Sequence, residues 1–181
     1  PCTPNHALPN GDGVRFAATA QDNGVTGNTV AYNSALGVVL AAGATGNRFS
    51  ANLAYQNGLR DFDLLQPAGI NPIDSDVPLV TPGGCGNANC DQNFPALAAA
   101  AGARDAGRVS GTLSTWNGVH RLEFFAGPSC GAGGQAGARR YLGSAPVTVA
   151  GGTLLPPVNA SVQFDLPIQR TQSLYGTRIT A

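Results

Sequence analysis

The 181-residue chain repeats itself at a spacing in the low twenties. Tyr32-Asn33-Ser34-Ala35-Leu36-Gly37-Val38-Val39-Leu40 can be laid on Tyr55-Gln56-Asn57-Gly58-Leu59-Arg60-Asp61-Phe62-Asp63, an offset of 23 residues. Gly27-Asn28-Thr29-Val30 recurs as Gly46-Asn47-Arg48-Phe49, and a third copy begins at Gly13-Val14-Arg15-Phe16, 24 residues before Gly37. Short β-type runs at such a period, each ended by Asn or Gly, describe a coil in which every turn buries its apolar side against the next. Asn and Gly tolerate the left-handed dihedrals of a sharp corner. Val30, Leu36, Val38, Leu40, Phe49, Leu53, Leu59 and Phe62 are expected to stack in columns inside. Asn28 and Asn47 are expected in equivalent turns, where their amides would form a ladder.

Composition agrees with an all-β chain. There are 25 Gly and 13 Pro, no Met, and only 11% charged residues. Every basic residue is Arg, and every acid except Glu123 is Asp, so the helix formers Lys and Met are absent and Glu occurs once. Ten basic residues balance ten acidic ones, which gives no electrostatic case for nucleic acid or an anionic membrane. No apolar run has the ~20 residues of a membrane-spanning helix.

Four units follow along the chain: an arm at 1–12, coils at 13–65, a connector at 66–95 and a second β unit at 96–181. The connector holds Pro67, Pro72, Pro78, Pro82 and Pro95 and shows no strand pattern. In the last unit, strands are expected over Arg108–Leu113, Val119–Phe125, Ala160–Leu166 and Leu174–Thr180, with one or two more over Arg140–Val149. Val162, Phe164 and Leu166 alternate with Ser161, Gln163 and Asp165, and His120, Leu122 and Phe124 with Arg121, Glu123 and Phe125. Strands so spaced suggest an immunoglobulin-like sandwich.

Cys2, Cys85, Cys90 and Cys130 allow three pairings. A Cys85–Cys90 disulfide closes a short loop, leaving Cys2 and Cys130 to pair within one chain or between chains. A zinc site of Cys85, Cys90, Cys2 and His6 is the rival, although neither pair has the common two-residue spacing; free thiols are the third option. Disulfides would place the chain outside the cytoplasm. It begins at Pro1 without a charged n-region or an apolar h-region, and reads as a mature or excised segment.

With these residues in view, Gly27–Leu64 resembles the last coils of bacterial secreted right-handed parallel β-helix repeat proteins. Gln92-Asn93-Phe94-Pro95-Ala96-Leu97 resembles the connector that follows those coils. Arg121-Leu122-Glu123-Phe124-Phe125 through Cys130, with Tyr141-Leu142-Gly143-Ser144, resembles their C-terminal Ig-like β-sandwich module. The resemblance implies a short right-handed parallel β-helix followed by an Ig-like antiparallel β-sandwich. In that family the module continues beyond the strand matching Leu174–Ala181 with a turn and one more strand, so the sandwich is expected to lack its last strand.

Several side chains invite chemistry. Arg60, Asp61 and Asp63 are adjacent, and paired carboxylates beside Arg cleave glycans on similar coils; two or three coils are too few for a long cleft. Asp74 and Asp76 with loop carbonyls are a weak calcium candidate. His120 reads as a boundary histidine, and no Gly-x-Ser-x-Gly elbow accompanies it. Gly131 to Gly137 reads as a loop, not a phosphate cradle. Trp116 with Arg104, Arg108, Arg139 and Arg140 offers a stacking surface for sugar or nucleic acid, or plain solubilising charge. The reading is a non-enzymatic extracellular structural protein of a bacterial surface, self-associating into a fibre or sheath by strand complementation. Pro1, Cys2, Leu174, Tyr175 and Ile179 are the expected assembly residues, with Cys2 and Cys130 as an intermolecular disulfide. The alternatives are an adhesive or glycan-binding surface module, a fragment of a larger secreted β-helix protein, and a polysaccharide lyase or hydrolase.

Overall fold

The computed structural model describes residues 10–64, 89, 93–103, 106–128, 137–154, 157–158, 160–169 and 178–181. The chain is all-β, with parallel and antiparallel sheets and no helix among these residues.

The first half is a stack of turns. Its strands are three residues long: β1 (Val14–Phe16), β2 (Gly24–Thr26), β3 (Thr29–Ala31), β4 (Val38–Leu40), β5 (Arg48–Ser50), β6 (Leu53–Tyr55) and β7 (Phe62–Leu64). They pair in parallel as β1-β4-β7, β2-β5 and β3-β6. Val14 lies on Val38, Val38 on Phe62, Val25 on Phe49, and Val30 on Ala54. The repeat is therefore 24 residues throughout, and the offset of 23 expected from the two tyrosines is corrected.

The corners explain the geometry. Asp22, Gly27 and Tyr32 in one turn, and Gly46, Ala51 and Gln56 in the next, adopt positive φ between 52° and 70°. Each is followed at once by asparagine: Asn23, Asn28 and Asn33, then Asn47, Asn52 and Asn57. A left-handed residue turns the chain, and the asparagine satisfies the backbone that the turn exposes. Four of the six left-handed residues carry a Cβ, at a cost of about 1 kcal/mol each. The pairing expected between Asn28 and Asn47 is also corrected. Asn28 stacks on Asn52, and Asn23 on Asn47.

Inside the turns, Val30, Val38, Leu40 and Ala44 are buried, with Val14, Phe16, Ala20, Phe49 and Leu64 packed against them. Burying a side chain of Val or Leu size contributes about 1.5–3 kcal/mol. Phe16, Phe49 and Phe62 form an edge-to-face column with centroids 5.2 and 4.9 Å apart. Leu59 and Phe62, expected inside, are 56% and 39% exposed. Leu59 lies over Ala35 on the outer side of the turn, and Phe62 belongs to the last described turn, with only one neighbour in its ladder.

The second half is antiparallel. Its strands are β8 (Ala96–Ala103), β9 (Ala106–Thr115), β10 (Gly118–Gly127), β11 (Arg140–Val149), β12 (Thr153–Leu154), β13 (Pro157–Val158), β14 (Ala160–Gln169) and β15 (Arg178–Thr180). One sheet runs β14-β9-β8 and another β11-β10-β15, with β12-β13 a separate ribbon. The two larger sheets share one core: Val109 and Leu113 from the first meet Leu122, Phe124, Ala126, Leu142, Val147 and Val149 from the second. Leu97, Leu166 and Ile179 close its margins. The alternation in β10 and β14 follows the expected faces where side chains are described: Leu122 and Phe124 inward, Arg121, Gln163 and Asp165 outward.

Candidate functional site

Three corner ladders run along the coil, and all three are satisfied in the same way. Oδ1 of Asn57 accepts the backbone N–H of Asn33 at 3.1 Å and its Nδ2 at 2.9 Å. Asn52 does this for Asn28, and Asn47 for Asn23. Nδ2 of Asn47, Asn52 and Asn57 then donates to a carbonyl of the preceding turn: Ala20, Val25 and Val30. A stacked carboxamide thus replaces water at every corner.

At the far end of the stack each ladder meets a different terminator. Position 13 of the repeat is Gly13, then Gly37, then Asp61. A methyl at Gly37 would sit 2.6 Å from Nδ2 of Asn57, so a side chain is excluded there. Asp61 has room for one, and its Oδ1 accepts Nδ2 of Asn57 at 2.7 Å and the Asn57 N–H at 3.3 Å. Asn89 comes from outside the repeat and ends a second ladder. Its Oδ1 accepts the Asn47 N–H at 3.0 Å, its Nδ2 donates to Asn47 O at 2.7 Å, and its own N–H reaches Ala44 O.

Glu123, on β10, closes the third corner. Oε1 accepts the Ser50 hydroxyl at 2.7 Å and Oε2 accepts the Ala51 N–H at 2.6 Å. Ala51 is the left-handed residue of that corner. The only glutamate in the sequence is therefore the bolt between the coil and the antiparallel unit. Around it, Ala138 N–H donates to Ala54 O at 2.7 Å, and the Arg139 guanidinium lies 5.3 Å above the Tyr55 ring. Arg121 sits 3.2 Å from Glu123. Its hydrogen bond to Tyr141, and then the Glu123 charge, hold the guanidinium pKa above its ordinary value.

The glycan-cleaving arrangement suggested by Arg60, Asp61 and Asp63 is spent on this architecture. Asp61 ends a ladder, while Asp63 is buried and paired with Arg60 at 2.7 Å. His120 places Nε2 2.9 Å from Trp116 O, and the two rings meet edge-on. Arg108 pairs with Asp165 at 2.8 Å on the outer face of β9 and β14, and Arg139 lies over Tyr55, so the described arginines are not gathered around Trp116. A shallow open depression of about 450 Å³ runs beside that ion pair, lined by Ala99, Ala101, Ser110 and Gln163. Among the described residues no group of three or more His, Cys, Asp or Glu could hold a metal ion.

The sheet edges differ from one another. β11 carries Pro146 and β14 carries Pro167, residues that block further pairing. β8 is broken by a register shift between Leu97 and Ala99. On β10, β15 pairs only with Phe125, Ala126 and Gly127. Over Gly118–Glu123 no described strand lies on that side, and this stretch contains no proline and stops short of the register shift between Phe124 and Phe125. Val119 there is 73% exposed. Ile179 lies in β15 opposite Ala126 and packs on the core. Pro1, Cys2, His6, Asp74, Asp76, Cys85, Cys90, Arg104, Cys130, Leu174 and Tyr175 lie outside the described residues.

Neither a family model nor a curated protein matches the chain. An asparagine ladder was expected from the sequence, through Asn28 and Asn47, but its three-fold repetition, Asn89 and Glu123 were not. The available signal was Asn recurring every five residues, at 23, 28 and 33 and again at 47, 52 and 57.

Proposed function

We propose that this chain is an extracellular structural protein of a bacterial surface, a short right-handed parallel β-helix bolted to an Ig-like β-sandwich, whose copies join into a fibre or sheath by strand addition. The observation that carries the reading is the stretch Gly118–Glu123 of β10, open among the described residues and directly ahead of β15 along the same sheet edge. An unguarded edge with unpaired N–H and C=O groups is a template for another strand. A strand from a second copy laid there would complete the sheet, and a heterologous contact of this kind repeats without closing. The commitment of Asp61, Asp63 and Glu123 to ladder ends and the junction supports a structural over a catalytic role.

The same edge favours a second reading. β15 runs antiparallel to β10 from Gly127 toward Phe125, so polypeptide continuing in that direction would fill the stretch in cis, as in a fragment of a larger secreted β-helix protein. Light scattering and electron microscopy of the purified chain over a concentration series separate the two. Filaments support strand addition between copies. A monodisperse monomer at the highest concentration overturns it in favour of the second reading.

A further inference from the structure

We propose that Asn10-Gly11 is a site of spontaneous deamidation in the folded chain, and that the asparagine ladder protects Asn57-Gly58 from the same reaction. The sequence holds four Asn-Gly pairs: 10–11, 23–24, 57–58 and 117–118. Glycine leaves its own N–H uncrowded, so such pairs cyclise readily. The Gly nitrogen loses its proton and bonds to the Asn Cγ. The Cγ–Nδ2 bond breaks and ammonia leaves, carrying that proton. Water then opens the imide at either carbonyl, giving aspartyl or isoaspartyl product. The reaction needs a Gly N–H free to lose its proton and a carboxamide free to swing onto it. Hydrogen bonds to either group must open first, and the opening free energy adds to the barrier.

The four pairs differ on both counts. At Asn57 the carboxamide is buried and held by Asn33, Val30 and Asp61, while Gly58 N–H donates to Asn33 O at 2.8 Å. At Asn117 the carboxamide is clamped to Gly152, donating to its carbonyl and accepting its N–H, each at 2.8 Å. At Asn23, Nδ2 donates to Gln21 O and to Asn47 Oδ1. Asn10 and Gly11 are both exposed, and their carbonyls accept from Ser34 and Ala35, which anchors the backbone on the side away from the reaction. Neither the Asn10 carboxamide nor the Gly11 N–H has a hydrogen-bond partner among the described residues, and no atom lies within 4 Å of a Cβ built on Gly11. The bonds that make the ladder stable thus also make it chemically durable, and the reactive pair lies just before the first strand.

The test is timed incubation of the folded full chain at mildly alkaline pH, followed by cleavage after arginine. Arg15, Arg48, Arg60 and Arg121 put the four pairs on separate peptides: 1–15, 16–48, 49–60 and 109–121. In the folded chain, conversion at Asn10 should exceed that at Asn57 by at least about tenfold, the ratio for a local opening of ~1.4 kcal/mol. In denaturant the two rates should converge. Gly11→Ala should keep the fold and abolish conversion at Asn10. Equal rates at Asn10 and Asn57 in the folded chain, or a difference that survives denaturation, overturns the proposal.

Discussion

Truncating Asn57 separates a working ladder from a decorative one. Asn57→Ala removes four side-chain hydrogen bonds: two accepted from Asn33 at 3.1 and 2.9 Å, one donated to Val30 O at 3.2 Å and one to Asp61 at 2.7 Å. Asn33 and Asn57 are both buried, so water cannot easily replace the lost partners. At about 1 kcal/mol per bond the loss is roughly 3–4 kcal/mol. Asn52→Ala removes three bonds of similar length, to Asn28 twice and to Val25 O, but Asn28 is exposed. Water substitutes there, and the expected loss is about 1 kcal/mol. Urea unfolding of the full chain, followed by far-UV circular dichroism, gives both values on one scale. If Asn57→Ala costs no more than Asn52→Ala at unchanged slope, burial of the ladder does not set its strength and the reasoning fails.

Other substitutions probe neighbouring steps. Gly37→Ala forces a methyl against Asp61 O and Asn57 Nδ2 and should cost about 2–3 kcal/mol in the same assay; a neutral result would mean the turns have slack that the stacking does not show. Glu123→Gln keeps one oxygen for Ser50 or Ala51 and loses the other, so the junction should weaken by about 1 kcal/mol and proteolysis near Ala51 should speed up. Unchanged proteolysis would remove Glu123 from the role of bolt. Thr115 buries a hydroxyl with no hydrogen-bond partner among the described residues, and Thr115→Val should stabilise the antiparallel unit by about 1 kcal/mol, raising its melting temperature. A lower melting temperature would show that the hydroxyl has a partner after all.

Much of the architecture was legible where side chains alternate. β11 runs Arg140–Val149 as a single strand where one or two were expected, β10 extends its expected strand at both ends, and β14 extends its own only at the C-terminal end. β8 was not legible, because Ala-Leu-Ala-Ala-Ala-Ala-Gly-Ala carries no alternation and little β preference; it becomes a strand by pairing with β9. In the coil the repeat was visible and its register was not. Gly27-Asn28 and Gly46-Asn47 look alike, yet they occupy different corners. The true partners of those glycines are Ala51 and Asp22, which sequence similarity does not connect. The left-handed position accepts whatever the stack can hold in place, and only the asparagine after it is constant. The role of Asp61 depends on that register, since a carboxylate at the glycine position makes sense only once the turns are aligned. Glu123 reaches Ala51 across 72 residues of sequence, a contact no local pattern announces.

The proposed assembly rests on the edge of β10 left open among the described residues, and amide hydrogen exchange over Val119–Glu123 in dilute and concentrated solution tests it most directly. If copies join by strand addition, the amides on that edge become protected as concentration rises, while those of Phe125–Gly127, already facing β15, change little. If protection over Val119–Glu123 is the same at both concentrations and the chain sediments as a monomer, strand addition between copies is contradicted.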